Sequence, residues 1–225
     1  MKHTHAAVWM ALAVGLAFFA VAADGRAGVN LVANGNFDKT DDNLQGWRYK
    51  FDATGENWYT NNHSLVSVVE SDNGRRKVLK LHGTFAELQV PGQGVRVDSH
   101  PIAVDLSSGK YRFSLYARSS GPACRILVEG FRWAPGVTPH AKPDNTELRK
   151  CYRFSQLYFG RQQAGEWAVP GAVWQHGASV FPDDKLSEQA RKNLAQIKFL
   201  VIHIVAIGGS DGDLLVDDAK IEKIR

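Results

Sequence analysis

Short runs of alternating apolar and polar residues, each closed by Gly, Asn, Asp, Pro or Ser, dominate the chain beyond residue 28. Tyr111-Arg112-Phe113-Ser114-Leu115-Tyr116-Ala117-Arg118 is the cleanest, with Tyr111, Phe113, Leu115 and Ala117 on one face. Leu65–Val69, Val78–His82, Cys124–Phe131, Leu148–Phe159, Val173–Phe181, Phe199–Ile207 and Leu214–Ile221 read similarly. A period of two at this spacing predicts an all-β, antiparallel sandwich. One segment breaks the pattern: Leu186, Ala190, Leu194 and Ile197 follow helical spacing through a polar stretch, which predicts one short surface helix. No repeat and no Pro- or Ser-rich linker divides the chain, so residues 28–225 read as one domain. The longest irregular stretch, Ala134–Thr146, carries three prolines and joins two strands.

The first 23 residues stand apart. Ala6–Ala23 carries no charge, follows the basic Lys2, and ends in the small-residue pattern Ala20-Val21-Ala22. Those three parts describe a secretory signal peptide, so we expect a secreted or periplasmic protein with no membrane span after cleavage. Removing Lys2 takes the formal charge from +4 to +3, a surplus too small and too dispersed to argue for nucleic acid. Two cysteines, Cys124 and Cys151, are too few for a disulfide-built miniprotein. If their strands form a hairpin through the proline loop, the thiols lie roughly 20 Å apart, and both are expected as buried free thiols.

Three blocks carry a family resemblance. Asn30-Leu31-Val32-Ala33-Asn34-Gly35-Asn36-Phe37-Asp38 opens the folded part and Gly46-Trp47 follows. Ser108-Gly109-Lys110-Tyr111 leads into the alternating strand, and Leu214-Leu215-Val216-Asp217-Asp218-Ala219-Lys220-Ile221 closes the chain. Together, and in this order, they resemble the CenC-type carbohydrate-binding modules of families 4 and 9, within the galactose-binding-domain-like group. The resemblance implies a jelly roll that binds a polysaccharide or glycan without catalysis. It also implies a structural Ca²⁺ joining the first turn to the last strand, with Asp38, Asp217 and Asp218 as candidate ligands. Hard oxygen donors from carboxylates and carbonyls suit that ion. By strict alternation Asp217 shares a core-facing row with Leu215, Ala219 and Ile221, where a lone carboxylate is costly unless paired. Backbone amides at a strand end satisfy Asp217 equally well in the plainer reading.

Sugars present flat C–H faces and polar rims, so exposed aromatic rings beside hydrogen-bonding groups mark candidate sites. After the leader five tryptophans remain, of which Trp47 and Trp174 are expected in the core. Trp58 and Tyr59 lie in an Asn-rich stretch without apolar period, and Trp133 opens the proline loop. We group Tyr116, Arg118, Glu129, Trp133 and His203 on one sheet face, with Trp58 and Tyr59 at its edge. An outward row of mixed polar residues also describes an ordinary solvated sheet, and a histidine in an apolar strand an ordinary core residue.

Signs of catalysis are few. The six histidines beyond the leader show no H-x-H or H-E-x-x-H spacing, and no G-x-S-x-G, P-loop or G-x-G-x-x-G motif occurs. Paired carboxylates alternating along one strand, as a jelly-roll glycosidase needs, are missing, since Glu129 is alone on its strand. Glu147-Leu148-Arg149 and Tyr158-Phe159 faintly resemble alginate-lyase strand motifs, but Gln196-Ile197 is followed by Lys198 where those enzymes need histidine. The chain therefore reads as a non-enzyme. An exported structural or protein-interaction sandwich without sugar binding is the alternative.

Overall fold

The computed structural model describes residues 28–39, 44–49, 63–71, 74–84, 94–159 and 169–224. The leader, Trp58 and Tyr59 lie outside the described residues. Two antiparallel sheets pack face to face, as the alternation predicts. Sheet A is ordered β1 (Trp47–Arg48), β4 (Val95–Ser99), β10 (Phe199–Gly209), β7 (Pro122–Trp133) and β8 (Leu148–Tyr158), with β5 (Ile102–Ala103) beside β10. Sheet B is ordered β2 (Val66–Glu70), β3 (Lys77–Gly83), β11 (Gly212–Ile224), β6 (Lys110–Ser119) and β9 (Gln175–Phe181). Following the described strands in order, the chain changes sheet at β1–β2, β3–β4, β5–β6, β6–β7, β8–β9, β9–β10 and β10–β11.

Side-chain alternation decides which atoms meet between the layers. Tyr111, Phe113, Leu115 and Ala117 of β6 face Cys124, Ile126 and Val128 of β7 and Leu200, Ile202, Ile204 and Ala206 of β10 across one apolar core. Each fully buried aliphatic side chain there contributes about 1.5–3 kcal/mol. Among the described residues one α-helix forms, α1 (Glu188–Gln196), in the segment predicted to be helical, with the Ser187 hydroxyl accepting from the Ala190 N–H at 3.2 Å. Gly130 leaves room for this corner: a Cβ there would lie 2.6 Å from Ile197 Cδ1 and 2.7 Å from Phe154 Cε2.

Three features depart from strict alternation. In β11 a register shift between Asp217 and Lys220, with Asp218 at φ 53°, resets the pattern. The core row is therefore Leu214, Val216, Ala219 and Ile221, and Asp217 turns outward instead of sharing the core-facing row. In β8 the pairing with β7 skips Cys151 and Phe154, so Lys150 and Arg153 lie opposite Phe131 and Glu129 on one face. Trp174, expected in the core, precedes β9 and stacks on the outside of sheet B. Its ring centroid is 4.8 Å from Arg75 Cζ and 5.2 Å from Arg118 Cζ. Cys124 and Cys151 are free, as the register requires, although only Cys124 is buried.

The opening turn is bonded to the last strand. Asn30 Oδ1 accepts from the Val32 and Ile221 N–H groups, and its Nδ2 donates to the Ala219 carbonyl. The Ala219 N–H donates to the Gly35 carbonyl at 2.9 Å. A Cβ on Gly35 would sit 2.0 Å from the Ala219 oxygen, so only glycine permits this approach. Gly35→Ala should therefore cost about 2 kcal/mol and lower Tm by roughly 4–8 °C in a thermal melt. An unchanged Tm would mean that the two ends are not held together.

Candidate functional site

The residues grouped on one face by their alternation separate onto two sheets. Tyr116 and Arg118 belong to β6 in sheet B, whereas Glu129, Trp133 and His203 belong to β7 and β10 in sheet A. Since the core lies between the sheets, their outward rows point in opposite directions. Period two reports that a side chain points away from the core, not which layer carries it.

On sheet B, Tyr116 and Arg118 frame a stacked cluster. The Arg75 guanidinium lies 4.0 Å from the Tyr116 ring centroid, and the Tyr116 and His176 rings are 4.7 Å apart. Arg75 Nη1 donates to Asp217 Oδ2 at 2.5 Å. Burial raises the Asp217 pKa from its ordinary value, against the pull of this arginine. Asp217 is thus removed from the proposed ion ligands, because its carboxylate is committed to Arg75 on the outer face. Asp38 accepts from Asn36 Nδ2 at 3.0 Å. Asp218 borders a depression of about 540 Å³ with Asn30, Asn34 and Asn36 of the opening turn, where Lys39 and Lys220 also lie. Asp218 is the carboxylate of this depression, and Lys220 Nζ stands 3.5 Å from it.

Sheet A carries the other group. Cross-strand partners on its outer face form rungs: Arg96, Val205 and Arg125; then Asp98, His203 and Leu127; then Val201, Glu129 and Arg153; then Phe199, Phe131 and Lys150; and finally Trp133 and Leu148. The ionised side chains link across these rungs. Arg96 grips Asp98 through Nε at 2.6 Å and Nη2 at 2.7 Å, and Asp98 Oδ1 lies 2.7 Å from His203 Nδ1. Arg96 Nη2 is also 2.7 Å from Nδ1, where the guanidinium works against protonation of the ring that Asp98 favours. On the other side, His203 Nε2 lies 3.4 Å from Glu129 Oε2, long for a hydrogen bond. Glu129 Oε1 takes Arg153 Nε at 2.8 Å and Lys150 Nζ at 3.5 Å.

Asp98, Glu129 and His203 are 3%, 5% and 5% exposed, so these charges depend on one another for solvation. Burial alone would push Asp98 up, but His203 and Arg96 beside it hold its pKa below the ordinary value. Burial opposes Glu129 likewise, and the contact with His203 and the Arg153 hydrogen bond bring it down to about 2. For His203 burial favours the neutral ring, yet Asp98 and Glu129 raise its pKa. Sequence reading missed Asp98 and Arg96 because β4 was not recognised. The Val95-Arg96-Val97 alternation was its only signal.

Beyond the buried chain come rings. Phe131 and Trp133 are half-buried on alternate positions of β7. Trp133 packs edge-on against Phe199 at 5.2 Å and lies 5.0 Å from the His140 ring in the proline loop. At the β1 margin a cleft of about 650 Å³ is lined by Arg48, Tyr49, His100 and Lys142, among others. Among the described residues no cluster of three His, Cys, Asp or Glu side chains stands ready to hold a metal ion, and no helix is long and apolar enough to cross a membrane.

No family model matches the chain, and no curated protein matches it. Similar solved structures include a family 16 carbohydrate-binding module, at 15% identity and TM-score 0.48, covering 86% of this chain and 100% of that one. The family 11 carbohydrate-binding module of the cellulosomal cellulase Lic26A-Cel5E of Clostridium thermocellum matches at 12% identity and TM-score 0.47, with 90% and 96% covered. The enzymatically active domain of bacteriophage CBA120 tailspike protein 4 matches at 12% identity and TM-score 0.47, with 87% of this chain but 22% of that one covered.

The sheet A network has a pH signature. His203, with its folded pKa raised, contributes stability in full below the ordinary histidine value of 6.5 and loses it as pH climbs through the folded value. Glu129, with its folded pKa lowered, contributes in full above 4.5 and loses it as pH falls towards about 2. The Tm difference between wild type and His203→Gln should therefore be widest between pH 4.5 and 6.5 and narrow on both sides. A difference that grows steadily above pH 6.5 would contradict the charged imidazole.

Proposed function

We propose that this protein binds a polysaccharide or glycan, without chemical turnover, on the outer face of sheet A along β7 and β8. One observation carries the reading: the half-buried rings of Phe131 and Trp133 alternate on β7 beside Lys150 and Arg153, whose orientation is set by the buried Glu129. Sugar C–H faces stack on rings of this kind, while fixed charged groups receive the hydroxyl rim. The CenC resemblance of the opening turn, β6 and the last strand supports the same reading, as does the leader, which fits action outside the cytoplasm. Catalysis draws less support. His203 sits between two carboxylates that raise its pKa and so disfavour the neutral ring a general base needs.

A structural Ca²⁺ belongs to this proposal. Asp218 and the carbonyl oxygens of the opening turn would hold it, Asp38 being the second candidate carboxylate. Chelator should lower Tm in wild type but not in Asp218→Asn. A melt that chelator leaves unmoved in wild type removes the ion.

Trp133→Ala should weaken binding by about 1–2 kcal/mol, a loss of roughly 5–30-fold in Kd, read by affinity electrophoresis in the polymer selected on a glycan array. Tyr116→Ala, on the opposite sheet, should leave Kd within about twofold. If no polymer on the array gives saturable, competable binding, the protein is a structural or protein-interaction sandwich instead.

A further inference from the structure

The described ion pairs on the outer face of sheet A leave two cations largely exposed, Lys150 and Arg153. Across β4, β10, β7 and β8 the described outward residues include Arg96, Arg125, Lys150 and Arg153 but only Asp98 and Glu129 as acids. Of these cations, Lys150 and Arg153 share one carboxylate, Glu129. Asp98 is taken by Arg96 and His203, and a single oxygen of Glu129 receives both Arg153 and Lys150.

These two cations are placed outward. Arg153 donates to Glu129 through Nε, and among the described residues nothing accepts from its two Nη groups. Lys150 stands 3.5 Å from the same oxygen, a loose contact, with its side chain 53% exposed. Both project beside Phe131, which lies directly opposite Lys150. A residue stacked on that ring would bring its substituents within reach of an ammonium and of a planar guanidinium fork. Two oxygens in one plane match that fork bidentately.

We propose that the ligand is an acidic polysaccharide whose uronate carboxylates are received by Arg153 and Lys150. This rests on the glycan-binding reading above and adds the charge class of its ligand. The carboxylate supplies acceptors to Nη groups that Glu129 does not use, and it places a negative charge beside the exposed Lys150 ammonium. A neutral chain stacks on the same rings but leaves those donors to water.

The test uses the full chain with three uronate polymers (polygalacturonate, alginate and glucuronoxylan), each beside its own carboxyl-methylated form, so that backbone and shape stay constant while charge is removed. At least one acid form should bind more than about tenfold tighter than its ester, and the preference should weaken as salt rises. Lys150→Gln, an exposed change, should cut that preference several-fold with Tm unchanged, and Lys150→Arg should retain it. Equal affinity for acid and ester, or binding confined to neutral glycans, overturns the uronate assignment and leaves glycan binding standing. Failure to bind any glycan overturns both. Equally tight binding of dextran sulfate or of an RNA homopolymer also overturns it, because the face would then be a general polyanion surface.

Discussion

The tie between the opening turn and the last strand governs the rest of the structure. Asn30 is the fastener: one side-chain amide satisfies three backbone groups, two of them on β11. Ala219 completes the clasp through Gly35, and the Trp47 indole donates to the Asn34 carbonyl from the core side. Because β11 lies between β3 and β6, fixing its position fixes the middle of sheet B. The same turn carries Phe37 into the core against Trp47, their ring centroids 5.3 Å apart. A few polar contacts thus align one layer on the other, and apolar burial then supplies most of the stabilisation.

The two outer faces solve the problem of charge differently. On sheet B, Arg75 is spread over the faces of Tyr116 and Trp174 and neutralised by Asp217, so its cluster is closed on itself. On sheet A the carboxylates are buried and the last two cations are not. Pairing there works as scaffolding: Glu129 is held from one side by His203, and in turn it aims Arg153 and Lys150. Preorganised side chains lose less freedom when a ligand arrives, which favours affinity without added contact area.

Much of this was legible in the chain itself, and the exceptions have causes. The β6 alternation places every core residue of that strand correctly, since one residue-by-residue period covers it without interruption. The α1 segment was visible because Leu186, Ala190, Leu194 and Ile197 keep helical spacing through a polar stretch, and Ser187 caps it in the structure. Asp217 was misread for a local reason: the bulge at Asp218 advances the pattern by one position, and an aspartate at positive φ leaves no mark in apolar periodicity. Tyr116 and Arg118 were misplaced for a global one, because which sheet a strand joins is decided by long-range pairing. Asp98 escaped notice because β4 is five residues long and supplies only two apolar positions to signal a strand.

The skipped residues of β8 have a consequence beyond the face they shape. Among the described residues β8 is the last strand of sheet A, and a strand in that position is where a second extended chain could pair. Two interruptions, at Cys151 and Phe154, break the even spacing that a second copy would need for docking edge to edge. Cationic side chains along the same edge add mutual repulsion between copies. The irregularity thereby works against fibril-like stacking of a protein rich in β-structure.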